Sequence, residues 1–270
     1  MSAVPSTWRT ARITPLGELL APPRIAGAVV QLTIQIVLVT ALWRGLYSGT
    51  GGQSTAGLTR EQAVSYAVLA VLATRLRELD RYSGRDTVIQ HMHFGTIVYW
   101  FLRPLSPQRY YALRALGDQL YGLAWAVVGY AVCLAAGVIQ PPVSGGAAAA
   151  FALSLLLGQW ILYYIMLLID QLCFWTLRNS AAMLILIFAQ NLLSGVYAPL
   201  WYFPDWFVTL SSFLPFQATL NVPLSVYVGR IPLADVAPQL GLQAGWVALL
   251  ALLTRLVWSR AARRVVSQGG

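Results

Sequence analysis

Between Arg24 and Arg44 the chain carries no charged residue, and Ile25 to Trp43 is apolar almost throughout. Crossing a bilayer's hydrocarbon core as a helix takes roughly 20 such residues. A helix that is apolar on every side belongs in lipid or deep inside a large protein. The pattern recurs at Leu120 to Val138, at Ala147 to Ile169, at Ala181 to about Ala198, and at Val236 to Thr254. Arg255, Arg260, Arg263 and Arg264 close the last run. Only 10% of residues are charged and 58% are apolar, whereas soluble domains carry about 25% charged residues. The fold class that follows is an all-α membrane protein.

A further crossing rests on charge. Ala63 to Ala73 is apolar but short, and it reaches spanning length only from about Leu58. If it crosses, fifteen of the eighteen arginines face the cytoplasm, and Arg44, Arg60 and Arg230 lie outside. If it does not, that bias collapses, and positive charge is what sets membrane orientation. Six transmembrane helices are therefore expected, at about 25–46, 58–76, 115–138, 147–172, 180–199 and 236–258. Both termini are placed in the cytoplasm and the protein in the cell's inner (cytoplasmic) membrane. The arginines flank apolar runs instead of forming one basic face, which speaks against nucleic acid.

All eighteen basic residues are arginine. A phosphate-binding loop of the Walker type needs a lysine, and so does a Schiff-base enzyme. No GxSxG or HExxH motif is present. His91 and His93 lack a third nearby ligand and make a poor metal site. Cys133 and Cys173 fall in or beside apolar runs and read as small hydrophobes. No catalytic residue, cofactor or metal is expected in this chain. No early apolar segment of a cleavable signal precedes Arg24.

Three regions lie between or before the runs. Ser6 to Leu20 is basic and amphipathic and suits an elbow helix on the cytoplasmic interface, broken by Pro22 and Pro23. Arg75 to Leu113 is the one sizeable cytoplasmic segment, and its length calls for structure of its own. Pro199 to Ala237 is rich in proline and aromatics, so Leu200 to Leu220 reads as short, partly buried re-entrant half-helices. Within the runs, Gln31 and Gln35 share one helix face, and Gln190, Asn191, Ser194 and Gly195 form a polar, small-residue patch. Polar groups at such depth suit either a translocation path or an interhelical seam. Asp118 and Asp170 stand near the cytoplasmic ends of their runs, where Arg114 and Arg178 suit them as partners.

Two stretches resemble a known family. One is Gly95-Thr96 followed by Phe101-Leu102-Arg103-Pro104-Leu105-Ser106-Pro107. The other runs from Ser194-Gly195 through Pro199, Phe203-Pro204-Asp205-Trp206 and Leu214-Pro215-Phe216 to Pro223 and Tyr227-Val228-Gly229-Arg230-Ile231. With the span layout they are similar to the permease subunit of ABC-2 type transporters. The resemblance implies a second permease subunit, identical or paralogous, and two separate ATPase subunits that hold the ATP and magnesium. It implies a cytoplasmic coupling helix within about Arg77 to Phe101, with Arg77, Arg81, Arg85, Asp86 and His91 facing the ATPase. It implies an outer gate in which Trp201, Phe203, Trp206 and Phe216 close a path that also passes Gln31, Gln35, Gln190 and Asn191. The expected function is ATP-driven export of a hydrophobic or amphipathic small molecule, an antibiotic or toxicant, through membrane lipid. Lipid or polysaccharide export is the alternative within transport, and a membrane-embedded enzyme or scaffold is the alternative outside it.

Overall fold

The computed structural model describes residues 20, 22–49, 57–76, 91, 94, 107–176 and 180–268. Its regular elements are helical: α1 (Pro22–Gly49), α2 (Arg60–Thr74), α3 (Pro107–Ala135), α4 (Gly145–Gln171), α5 (Cys173–Thr176), α6 (Ser180–Leu193), α7 (Asp205–Ser212), α8 (Asn221–Tyr227) and α9 (Val236–Gln268). Single 3₁₀ turns stand at Leu200–Tyr202, Gln217–Thr219 and Leu233–Asp235. The expected elbow helix, apart from Leu20, lies outside the described residues. So do Arg77, Arg81, Arg85 and Asp86 and the stretch from Gly95 to Ser106.

Four helical stretches are long and apolar enough to cross a membrane: Pro22–Gly49, Arg109–Ala135, Gly145–Thr176 and Leu233–Ala261. α1 buries only a narrow stripe, Leu32, Thr40, Trp43 and Tyr47. Its other apolar side chains, among them Val30, Ile34, Val37, Leu38 and Leu42, are exposed. Exposed apolar area of that extent is untenable in water and is what hydrocarbon solvates.

α2 is the opposite case. Thr59 caps it through a reciprocal pair of bonds: its hydroxyl accepts from the Gln62 amide at 3.3 Å, and the Gln62 side chain accepts from the Thr59 amide at 2.9 Å. Ten of its residues between Ala63 and Ala73 are buried, so it has almost no lipid-facing surface. It packs against α1, α3 and α8. Its 15 residues rise about 22 Å, short of a core of about 30 Å. α6, with 14 residues, is also short. Two of the six expected crossings thus correspond to helices below spanning length.

The register of α2 on α1 is antiparallel. At one end the Tyr47 hydroxyl donates to the Leu58 carbonyl at 3.3 Å. Toward the other end, a β-carbon on Gly129 of α3 would stand 2.5 Å from Leu72 Cδ2 and 3.6 Å from Leu32 Cδ2, so these three residues share one level. Leu32 is ten residues into α1, about 15 Å along its axis.

The segment after α6 folds back into the molecule. Gly195 turns with φ +80°, and a β-carbon there would meet the Tyr66 hydroxyl at 2.5 Å. α7 stays largely exposed, with Leu210 and Phe213 on its surface. α8 is buried from Val222 onward and packs against α4 and α2. It thereby joins two apolar cores. One gathers α2 with Leu220, Leu224 and Tyr227; the other lies between α4, α6 and α9, around Ile161, Met166, Leu186 and Leu250.

Candidate functional site

Where α8's preceding turn meets α4, small residues allow close approach. Ser154 and Gly158 lie one helical turn apart on α4 and are both buried. A β-carbon on Gly158 would stand 3.0 Å from the Ala218 carbonyl oxygen, so the Gln217–Thr219 turn rests directly on the α4 backbone. Gln243 of α9 fastens this contact. Its amide nitrogen donates to the carbonyls of Ala218 at 2.6 Å and Ser154 at 3.0 Å, and its oxygen accepts from the Ser154 hydroxyl at 2.9 Å. One fully buried side chain therefore holds α4, α9 and the turn before α8.

From α6, Gln190 approaches the same turn. Its amide nitrogen donates to the Thr219 hydroxyl at 2.6 Å, which donates in turn to the Phe216 carbonyl at 2.7 Å. The structure thus brings together Gln190 and Phe216, two residues expected in the path. The Gln190 side-chain oxygen, Oε1, is buried and has no hydrogen-bond partner among the described residues. A desolvated acceptor of this kind costs about 1–3 kcal/mol.

A second cluster sits at the junction of α2 with the segment that follows α6. The Tyr66 hydroxyl, its ring buried in α2, lies 3.2 Å from the Gly195 carbonyl and 3.0 Å from Asn221 Oδ1. The Trp201 ring meets Tyr66 edge-on at 5.0 Å, and the Arg230 guanidinium lies 4.6 Å from the Trp201 ring centre. Tyr202 packs on Trp43 at 5.3 Å and shares a 2.7 Å hydrogen bond with Tyr47. Burial, and then that bond, push the Tyr202 hydroxyl well above its ordinary range. Gln62 donates to the Val228 carbonyl at 2.9 Å, tying the start of α2 to the end of α8. Tyr130 and Tyr227 make a similar tie at 3.0 Å, with Tyr227 donating to the Gln140 carbonyl at 2.8 Å.

The remaining expected residues are dispersed. Phe203 stacks on Phe207 at 4.7 Å, and Trp206 is 67% exposed beside it. Asn191 reaches the Tyr197 hydroxyl at 3.5 Å. Gln31 and Gln35 lie exposed on α1, where Gln35 accepts from Arg75 at 3.4 Å. His91 is half-buried. Asp118 and Asp170 are buried, deeper than their sequence positions suggested. Gln243, Ser154 and Tyr66 were not singled out from sequence. Gln243 carries the same signal as Gln190, a polar side chain inside an apolar run; Tyr66 carries none.

No curated protein and no solved structure gives a significant match to this chain. A family model described as ABC-2 family transporter protein matches residues 30–269. That stretch takes in three of the long apolar helices whole and the first from residue 30 onward, with both buried clusters and the segment that joins them, and the chain is therefore a multi-pass membrane protein of the ABC-2 transporter family.

Proposed function

We propose that this chain is the permease subunit of an ATP-driven exporter that moves a hydrophobic or amphipathic small molecule out of the cell. The observation that carries the reading is the family match across residues 30–269. ATP hydrolysis falls to separate ATPase subunits, because a chain without lysine has no means of building a standard phosphate-binding loop. Two permeases and two ATPases form the assembly. The coupling surface lies between Arg77 and Phe101, with Arg77, Arg81, Arg85, Asp86 and His91 toward the ATPase.

In this reading α1, α2, α3, α4, α6 and α9 provide six crossings, with both termini in the cytoplasm of a cell whose inner membrane holds the protein. α7 and α8 are the two arms of a re-entrant outer segment. The gate is the contact of that segment with the helices beneath it. Gln190, Thr219 and Gln243 hold its inner side, while Trp201, Tyr202 and Tyr66 hold its outer side. Burial of α8 against both α2 and α4 supports a closed resting state.

Co-purification and ATPase assays test the proposal. A tagged copy is expected to bring down an ABC ATPase, and the reconstituted complex to hydrolyse ATP faster with a transported amphiphile present. Failure to recover an ATPase, or no stimulation by any drug, lipid or glycan, would count against transport.

A further inference from the structure

We infer that α7 is the lipid-facing arm of the segment between α6 and α9, with Trp206, Leu210 and Phe213 seated among the headgroups and upper acyl chains of the bilayer. The occupant of this face is membrane lipid. The inference needs the chain to lie in a membrane and does not need export. Three observations support it.

The first is the pattern around the helix. An α-helix turns once every 3.6 residues, so α7 and the Phe213 that caps it divide into three arcs. Phe207, Val208 and Ser211 form one arc, half-buried or buried against the protein. Asp205, Thr209 and Ser212 form the second, polar and exposed. Trp206, Leu210 and Phe213, at i, i+4 and i+7, form the third and are 67%, 53% and 73% exposed. Single exposed apolar side chains need no explanation; three large ones along one face do. A helix with a protein side, a water side and an apolar side fits the boundary between headgroups and acyl chains. A protein laid over this face would instead crowd the exposed Asp205 carboxylate, whose removal from water is costly.

The second is level. The charge-free run of α1 ends at Trp43, before Arg44. Tyr202, three residues ahead of α7, packs on Trp43 at 5.3 Å and shares a 2.7 Å hydrogen bond with Tyr47, one turn further along α1. The chain therefore approaches α7 where the apolar run of α1 gives way to charge. Phe203 stacks on Phe207 at 4.7 Å, which folds this approach onto the first turn of α7. The eight residues of α7 rise about 12 Å, less than half of a core of about 30 Å. Tryptophan is enriched at this boundary, where its ring meets the acyl side and its N–H the headgroups.

The third is continuity. On α6, which leads into this segment, Leu184, Ile185 and Phe188 are exposed, and Tyr197 between α6 and α7 is exposed as well. Such a face has hydrocarbon as its solvent in a membrane protein. α8 is the contrasting arm: it is buried from Val222 to Tyr227 and offers no such face. One arm therefore belongs to the protein and the other to the bilayer. Any movement of the segment drags three large side chains through the lipid boundary. The closed contacts at Gly158 and Tyr66 are thereby tied to the state of the bilayer.

The test is collisional quenching of the full-length chain in phosphatidylcholine vesicles. A small fluorophore is attached in turn to Leu210→Cys, Phe213→Cys and Ser212→Cys, all at exposed positions that tolerate change. The wild type carries two cysteines, both buried, so its labelling sets the background. Phosphatidylcholine brominated high on its acyl chains and aqueous iodide are the two quenchers. Probes at 210 and 213 are expected to lose most of their emission to the brominated lipid and little to iodide, and the probe at 212 the reverse. A label-free check comes from W206F, whose tryptophan emission should fall less on adding brominated lipid than that of the wild type. Greater loss to iodide than to lipid at 210 and 213 would overturn the inference, because the face would then lie in water. Protection of both probes from both quenchers would overturn it too, as the mark of a covering protein such as a second copy. Equal lipid quenching at all three positions would remove the division into arcs on which it stands. The readout involves no ATPase, so failure of export leaves it intact, and its own failure leaves export intact.

Discussion

The carbonyl oxygen of Thr219 lies 2.6 Å from the point where a β-carbon on Gly158 would stand. Both partners in that contact are backbone, so neither can rotate away. Gly158→Ala is expected to destabilise the protein by about 1–3 kcal/mol through overpacking, and Gly158→Val by more. Thermal melts in mild detergent measure the loss. Substitution of Gly146, whose nearest neighbour is the flexible Leu233 side chain, is expected to cost much less.

Gln243 and Ser154 form a reciprocal pair that also holds Ala218. Gln243→Leu takes the donor from the buried Ala218 carbonyl and the acceptor from the Ser154 hydroxyl, while the Ser154 carbonyl keeps its bond within α4. Interhelical bonds of this kind average about 0.6 kcal/mol in membrane double-mutant cycles, while an orphaned buried acceptor costs about 1–3 kcal/mol. The single variant is expected to lie in the upper range. A double-mutant cycle with Ser154→Ala should show coupling; strict additivity would mean that the two side chains act separately.

Tyr66→Phe keeps the ring and removes only the hydroxyl that reaches Gly195 and Asn221. A loss of about 1 kcal/mol is expected. If this contact helps hold the outer gate shut, the variant complex should also show raised ATPase activity without substrate. Loss of stability with unchanged basal turnover would assign Tyr66 to packing alone.

Tyr202 supplies a pH dependence. Burial and the Tyr47 hydrogen bond raise its folded-state pKa above the ordinary value of about 10. The folded protein therefore keeps this proton where the unfolded chain has lost it. The contribution is fully present below about pH 10 and declines as pH rises beyond that. Melting temperature measured from pH 8 to 11 should fall at the alkaline end, and Tyr202→Phe should flatten the fall.

If Arg81 and Arg85 face the ATPase, replacing both with alanine is expected to weaken ATPase association and abolish stimulated hydrolysis while leaving the stability of the isolated permease within about 0.5 kcal/mol of wild type. Pull-down yield and ATPase rate are the two measurements. Unchanged yield would remove these arginines from the coupling surface.

The long helices were legible because their apolar runs exceed any soluble requirement, so α1, α3, α4 and α9 could be placed from length alone. At α2 arginine placement argued for a crossing; a helix of 15 residues stands there, below spanning length, and its burial was not legible. Alanine, serine and tyrosine fill an enclosed helix as readily as they line an interface, so Ser65 and Tyr66 gave no warning. α6 was expected to continue to about residue 199; it stops at Leu193, because Gly195 turns the chain to receive Tyr66. Gln190 was found because amides are rare in apolar runs. Its partner Thr219 lies 29 residues on, beyond a chain reversal that local pattern does not encode. Trp206 shows the converse: aromatic content drew attention to this segment, but this ring is exposed while Trp201 is the one engaged.

The enclosure of α2 bears on how the protein is made. Emerging before most of its partners, this helix is too short to cross a core of about 30 Å unaided. α1, already synthesised, covers one side. The partners for another, Leu220 to Val228, are translated only about 150 residues afterwards, at roughly 5–20 residues per second. For that interval of several seconds or more the nascent helix must be sheltered by the insertion machinery or wait at the membrane surface. Truncation before α8 should therefore yield chains in which the first helix is inserted and the second is still accessible to aqueous labelling.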